Sequence, residues 1–566
     1  MNWRAQTLQQ LEADPNVSVL ILGGGINGAG LFRELALQGV DCLLVDKADF
    51  TAGATSKSSR MIHGGLRYLE NREFKLVAES LLERNLLLEN ASHYVSPLKT
   101  TIPLFSWFGG LIKSGLIFAG FSMDPGSRGV ATVKVGLMFY DFVTRKNRRT
   151  PTHFITGKSQ ALQDVPGLNP NIVATATYWD AWITQAERLC LELIQDACRE
   201  NPRCHALNYI ALEGVKDGGV ALRDSASGKT VVVKPKIVVN ATGAWVDLTN
   251  ASFGLKTSLI GGTKGSHLVV DNKQLHDALG GRMVYYQHSD GRVCIVFPFL
   301  GKVIMGSTDI RASNPEQARC DEAEIQYMLT TLRGVFENIT ITREQVVFSF
   351  CGVRPLPAKT GVTATISRGH SVKVIEPETR GTEAGATGRS FPIYCLVGGK
   401  WTTFRAFAEQ VADRLLPQLG QQRRCSTEKT PIGGGKGCPL DAQARADWTR
   451  QLAQKHNLRE GRASALFQRY GTAAASYAAK ATGESERPFK SLPGYTVGEI
   501  EHIAANDYVE HLTDVIRRRS TISLLGDAKP EVVRELAEIV GRVLGWDKDR
   551  ISREIDMADT TKGEAP

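Results

Sequence analysis

The residues whose types and spacing could do chemistry gather near the start of the chain, in two glycine motifs. Gly23-Gly24-Gly25-Ile26-Asn27-Gly28 has the GxGxxG spacing of a dinucleotide turn. Gly23 allows the tight turn, Gly25 lets backbone amides approach a pyrophosphate, and Gly28 lets the following helix pack on the preceding strand. The N-terminus of that helix attracts negative charge. His63-Gly64-Gly65-Leu66-Arg67-Tyr68 then sets an imidazole, a guanidinium and a phenol around a glycine pair. The first motif alone indicates a bound nucleotide; the two together point to flavin chemistry on an anionic substrate.

These residues need elements to hold them. Residues 17–22 form a short apolar run that predicts a buried strand, and residues 26–38 carry Ala29, Phe32, Leu35 and Ala36 at the spacing of one helical face. Gly39 supplies a helix C-terminal cap. A second apolar run, 42–45, ends in Asp46, which completes a strand, helix, strand unit and places an acid to accept hydrogen bonds from a ribose. The chain returns to this unit twice. Residues 236–240 lead into Ala241-Thr242-Gly243-Ala244-Trp245, and residues 394–397 lead into Gly398-Gly399-Lys400-Trp401-Thr402-Thr403 and a helix through Arg405, Ala408, Val411 and Leu415. That second return points another helix N-terminus at the ligand, where it stabilises developing negative charge.

Between the returns, residues 265–310 alternate apolar runs with turn residues, the signature of antiparallel strands and here of an inserted substrate-binding sheet. After about Cys425 the patterns are mostly helical; Val509, Leu512, Val515 and Ile516 mark one helical face that ends in Arg517-Arg518-Arg519. The expected fold is α/β: a Rossmann-like FAD-binding domain with an inserted antiparallel β-sheet substrate domain and a helical C-terminal cap domain. Residues 1–16 read as an N-terminal extension. The FAD-binding segments are about 17–75, 160–255 and 345–425, the substrate-binding segments about 76–159 and 256–344, and the helical domain 426–566.

Composition narrows the function class. The 566 residues are 42% hydrophobic and 22% charged, ordinary globular values, and long enough for several domains. The net charge of +9 suits an acidic partner: a phosphorylated small molecule, an anionic membrane or a nucleic acid. Ten cysteines stand singly, without CxxC pairs, which argues for a reducing compartment and against an iron–sulfur cluster or structural zinc. The first sixteen residues lack the apolar core of a signal peptide, so the catalytic part is expected to face the cytoplasm. Residues 103–123 are apolar and glycine-rich around the single charge of Lys113, better suited to shallow membrane contact than to crossing, and the basic run Arg145-Lys146-Asn147-Arg148-Arg149 suits anionic headgroups. A nucleic-acid reading would want aromatics interleaved with the basic runs, and those at 145–149 and 517–519 lack them.

Seven motifs in order carry a family resemblance: residues 23–30, Ile62-His63-Gly64-Gly65-Leu66-Arg67-Tyr68-Leu69, Asn240-Ala241-Thr242-Gly243-Ala244-Trp245, Lys264-Gly265-Ser266-His267, Thr308-Asp309, Gly352-Val353-Arg354-Pro355-Leu356, and Gly398 through Thr403. In this order the chain resembles the FAD-dependent glycerol-3-phosphate dehydrogenases, closely over about 17–415 and more loosely beyond. The resemblance implies oxidation of sn-glycerol 3-phosphate to dihydroxyacetone phosphate, with hydride passing to FAD N5 and electrons then to a quinone. It implies peripheral association with the inner face of the cytoplasmic membrane. A homodimer is the oligomer considered.

The resemblance also distributes roles. Substrate phosphate falls to Arg67, Tyr68 and Lys400, clustered donors beside glycines. The cofactor falls to Gly23, Gly25, Asn27, Gly28, Asp46, Thr55, Ser56, Ser59, His63, Gly65, Leu66, Thr242, Gly243, Gly399, Lys400 and Thr402. Loss of the hydroxyl proton needs an acceptor; His267 is assigned, with His63 at the flavin or holding its loop. Arg354 is either a further cation for the phosphate, beside Arg67 and Lys400, or, if it contacts the reacting oxygen, the group that stabilises the alkoxide and the incipient carbonyl, a choice the sequence leaves open. Two positions depart from the family: Lys57 is bulky for the serine-rich stretch, and Trp401 stands where leucine is more usual. Competing readings are a dehydrogenase of another polyol phosphate such as an erythritol phosphate, an oxygen-using glycerol-3-phosphate oxidase, and, remotely, a flavin-dependent RNA-binding protein.

Overall fold

The computed structural model describes residues 3–69, 73–109, 129–288, 290–312, 314–358, 368–378, 388–480 and 483–558. Two large sheets organise them. The first is built on Asn16–Leu22, every residue of which after Asn16 is buried, as expected of a strand covered on both faces. It lies between Thr230–Asn240 and Cys42–Val45 and is parallel to both; Ile393–Gly398 continues the parallel set beyond Thr230–Asn240. The register pairs Leu22 with Asn240 and with Val45, and Asn240 with Cys395. The turns at Gly23, Asp46 and Ala241 therefore leave the sheet at one carboxyl edge, where ligands of open α/β sheets bind.

Helices Ile26–Leu37, Ala186–Glu200 and Phe404–Gln418 contribute to one core with this sheet, through Phe32, Leu35, Leu189, Leu193, Phe404 and Val411 among others. The second sheet is largely antiparallel. It runs Ile310–Arg311, Thr263–Val270, Lys302–Gly306, Val293–Phe299, Met283–Gln287, Val95–Leu104, Ala174–Ile183 and Met61–Ile62, with Val346–Arg354 added to Thr263–Val270 and Phe154–Gly157 to Ala174–Ile183. The strands expected over 265–310 are present. The helices from Ala442–His456 to Lys548–Ala558 enclose a core of their own, which includes Leu512, Val515 and Ile516.

Within the expected N-terminal extension, Trp3–Ala13 is a helix whose Leu8 and Leu11 join a core beneath the first sheet, and whose buried Arg4 pairs with Asp224 at 2.6 Å. The segments 160–255 and 345–425 do not belong wholly to the nucleotide part, because Ala174–Ile183 and Val346–Arg354 are strands of the second sheet. Met61–Ile62 is as well. A buried strand has the same apolar pattern in either sheet, so its partner is decided by non-local pairing that local sequence does not encode. Most of residues 103–123 fall outside the described residues.

Candidate active site

The carboxyl edge of the first sheet faces the second across one cavity of about 1460 Å³. On the first side, Gly23 has φ +105°, and a Cβ there would sit 2.8 Å from the Ala241 carbonyl oxygen. Only glycine brings these two turns together without strain. Gly28 sits behind the wall, where a Cβ would meet the Gly23 carbonyl at 1.9 Å; its role is helix packing, as its spacing implied. Asp46 accepts from the Gly24 amide at 2.7 Å and the Ala48 amide at 3.0 Å, and burial pushes its carboxyl up to about 6. Thr55 Oγ1 accepts from the Ile26 amide at 2.9 Å, so the loop after Asp46 closes over the start of the helix.

Gly25, Asn27, Thr55, Ser59, His63, Gly65, Leu66, Thr242, Gly243, Gly399 and Thr402 line the same cavity. Ser56 does not: its hydroxyl turns back onto the Gly53 carbonyl at 3.3 Å, so this assignment is corrected. Asn27 donates to the Gly398 carbonyl at 3.4 Å, and its Oδ1, buried at the wall, has no partner among the described residues. The Trp401 indole N–H is likewise unpartnered. A long cleft with a glycine turn at a helix N-terminus, an acid at the second strand and unpaired polar atoms along its wall fits a flavin dinucleotide.

The opposite wall carries His267 and Arg354. His267 lies on Thr263–Val270, stacked on Phe350 with ring centroids 5.0 Å apart, and leans on Gly306, where a Cβ would meet its ring at 2.5 Å. Both imidazole nitrogens are buried and unpartnered among the described residues. Burial, then the Arg354 and Arg60 cations, hold its pKa down to about 3, so the ring is neutral at physiological pH. Gly265 is two residues away on the same face of the strand. The Arg354 guanidinium occupies the space a side chain would take there, with Nη2 2.0 Å from the position of a Cβ. Arg354 donates to Ser307 Oγ and Asp309 Oδ1 at 3.1 Å each and to the Thr308 carbonyl.

Two of the predicted phosphate donors, Lys400 and Tyr68, form a third cluster. Lys400 is buried, donates to Ser80 Oγ at 2.7 Å and sits 4.2 Å from the centroid of the Tyr68 ring. Burial draws its ammonium down to about 7. Burial and the Lys400 cation draw neighbouring His63 down to about 4. Arg67 lies on the helical turn Leu66–Leu69, and its side chain is outside the described residues.

Three contributors escaped the sequence reading. Arg368 lines the cavity 3.9 Å from Asp309, and nothing in its neighbouring sequence marks it. Asp180, buried within Ala174–Ile183, accepts from the Gly64 amide at 3.0 Å, from Tyr140 and from Arg84, and so anchors the second glycine motif. An acid inside an apolar strand was its available signal. Glu324 accepts from Thr308 Oγ1 at 2.6 Å and Ser266 Oγ at 2.9 Å, bracing the loop that holds Arg354. Lys57 is accommodated because Gly352 has no side chain: a Cβ there would lie 2.5 Å from the Lys57 Cβ. Arg518 and Arg519, which the charge pattern presented as a basic run, point inward onto Asp49.

Comparison with known proteins agrees with this architecture. The FAD dependent oxidoreductase family profile matches residues 18–414, and that of the C-terminal domain of alpha-glycerophosphate oxidase matches 425–551. A glycerol-3-phosphate dehydrogenase of Synechocystis sp. is 31% identical over 561 residues, covering 95% of this chain and 94% of its own. Glycerol-3-phosphate dehydrogenase 2 of Mycobacterium tuberculosis is 29% identical over 555 residues, covering 95% and 86%. The fold is shared with the Bacillus halodurans glycerol-3-phosphate dehydrogenase complexed with FAD, at a TM-score of 0.74 and 22% identity over 98% of this chain and 96% of that one.

Proposed function

Because the chain belongs to the FAD-dependent oxidoreductase family, among its glycerol-3-phosphate dehydrogenases, we propose that it oxidises sn-glycerol 3-phosphate to dihydroxyacetone phosphate and delivers the electrons to a quinone. When bound, FAD supplies the acceptor for the hydride that leaves substrate C2 with its electron pair. Gly23, Gly25 and Asp46 would hold its pyrophosphate and ribose end, and Asn27, Thr55, Ser59, His63, Thr242, Gly243, Gly399 and Thr402 line the remainder of its cleft.

The chain's own residues do the rest. Lys400, Tyr68 and Arg67 receive the phosphate, so that binding energy far from C2 orients the alcohol. His267 takes the hydroxyl proton onto an unpartnered ring nitrogen. Arg354, held by Ser307 and Asp309, stabilises the alkoxide as it forms. The observation that carries this reading is the neutral, unpaired imidazole of His267 and the seated guanidinium of Arg354 on one strand face, across the cavity from the glycine turn.

Anaerobic mixing with sn-glycerol 3-phosphate, erythritol 4-phosphate and glycerol, followed by visible flavin absorbance, tests it. Bleaching by glycerol 3-phosphate alone supports the reading; bleaching by the erythritol ester, or persistence of colour, defeats it. The C-terminal profile is named for an oxidase, so oxygen is the competing acceptor. Peroxide formation in air that outpaces reduction of a soluble quinone would favour it.

The same reading includes contact with an anionic membrane. Val135, Met138 and Phe142 form an exposed stripe along the helix Val130–Thr144, and exposed Trp107 and Phe108 lie beside the start of that helix. Among the described residues no helix is long and apolar enough to cross a membrane. Arg145 at the helix end stacks over Phe142, joining charge to the apolar stripe. Co-sedimentation with anionic but not neutral vesicles is expected, and equal partition between the two would remove the headgroup contact.

A further inference from the structure

We propose that the helical C-terminal region positions the adenosine end of the cofactor cleft, through Arg518, Arg519 and Tyr508 acting on Asp49 and Phe50; this rests on the assignment of that cleft to FAD. Asp49 stands three residues after Asp46, and its carboxylate is buried. Arg519 donates to both of its oxygens, at 2.7 and 2.8 Å, Arg518 donates to one, and Asn208 adds a bond at 2.9 Å. Arg518 also donates to Asp514 at 2.7 Å, so two cations meet two carboxylates. Buried ion pairs are rigid, because any displacement leaves a charge uncompensated in a dry site.

The clamp is itself held. Arg519 donates to the carbonyls of Asp507 and Tyr508, and Arg188 of the nucleotide part reaches across to Asp507 and to the Arg519 carbonyl. The Tyr508 ring meets Phe50 edge-on at 5.5 Å. Phe50 in turn fills the space over Gly24, where a Cβ would lie 2.3 Å from its ring, and the next residue, Thr51, donates its amide to the Gly24 carbonyl at 3.1 Å. Gly24 is the residue whose amide Asp46 binds. Arg519 and Arg518 thus fix Asp49, and Tyr508 backs Phe50, on the short loop that follows the ribose acid and packs back on the dinucleotide turn. Among the described residues none beyond Thr402 lines the cavity. Arg518, Arg519 and Tyr508 therefore act on this loop as positioning residues.

The test uses the full-length holoenzyme and two variants: Arg518→Gln, which keeps the Arg519 pair, and Tyr508→Leu, which keeps an apolar side chain behind Phe50. Flavin release, read as the rise of flavin fluorescence on dilution, is expected to quicken about tenfold in each. In the apoproteins, affinity for ADP should weaken by about the same factor while affinity for FMN stays within about twofold, since FMN lacks the adenosine half. Release and ADP affinity at wild-type levels in folded variants would overturn the proposal. So would equal weakening of ADP and FMN, which would mark a general loosening of the domain interface. A wild-type protein that binds ADP and FAD no better than FMN would instead overturn the assignment of the cleft on which the proposal stands.

Discussion

Gly265→Ala isolates the placement of Arg354 from its presence. The new methyl would lie 2.0 Å from Nη2, 2.4 Å from Cζ and 2.5 Å from Nη1 of Arg354. Ordinary contact begins at 3.4 Å, so the guanidinium must retreat by about 1.4 Å. Gly265 has no left-handed φ, so alanine adds no backbone strain, and the atoms in its way end a flexible side chain that is 30% exposed. The fold should absorb the change, at a cost within the ~1 kcal/mol typical of mild substitutions. The site should not. A shift of that size breaks the 3.1 Å bonds to Ser307 and Asp309 and moves the charge off the developing alkoxide. Misplacement by about 1 Å costs on the order of 10²-fold, or about 2.7 kcal/mol of transition-state stabilisation. Stopped-flow bleaching by glycerol 3-phosphate should therefore slow by about two orders of magnitude while flavin content and melting temperature hold. Gly157→Ala, with no atom within 4 Å of its Cβ, is the control. Wild-type bleaching in a flavin-replete Gly265→Ala protein would refute the role of Arg354's seat.

Arg354→Ala removes the group altogether, and flavin reduction should fall by at least about 10²-fold with FAD still bound, measured in the same anaerobic assay. His267→Gln should lose about 10²-fold or more of that rate. Because the imidazole stays neutral down to about 3, the wild-type rate should show no acid limb near 6.5 that vanishes in the His267 variant. Lys400 titrates near 7, far below its usual value, so the unfolded chain binds the extra proton between about 7 and 10.5 and this residue makes stability rise with pH across that window. Phosphate favours the charged form, so KM should climb by up to about tenfold per pH unit above 7, and Lys400→Met should flatten that slope; a KM independent of pH in the wild type would remove Lys400 from the phosphate site.

Local sequence determined a good deal here. A turn, a helix start and a strand are written in a few neighbouring residues, so the unit from residue 17 to Asp46 and the returns at Thr242 and Gly399 are legible from glycine spacing and apolar period. The family motifs likewise marked His267, Arg354 and Lys400, all three of which reach one cavity. Tertiary structure alone decided the rest. Which sheet Ala174–Ile183 joins depends on a partner some eighty residues away in Val95–Leu104. Arg368, Asp180 and Glu324 acquire meaning only beside groups distant in the chain, and Ser56 loses its place because its hydroxyl finds a nearer acceptor. Arg518 and Arg519 are the clearest case. A run of arginines reads as solvated charge until Asp49, 469 and 470 residues earlier, is brought against it. Burial and pairing set the electrostatics of a charged group, and both are properties of the folded chain that its neighbours in sequence do not carry.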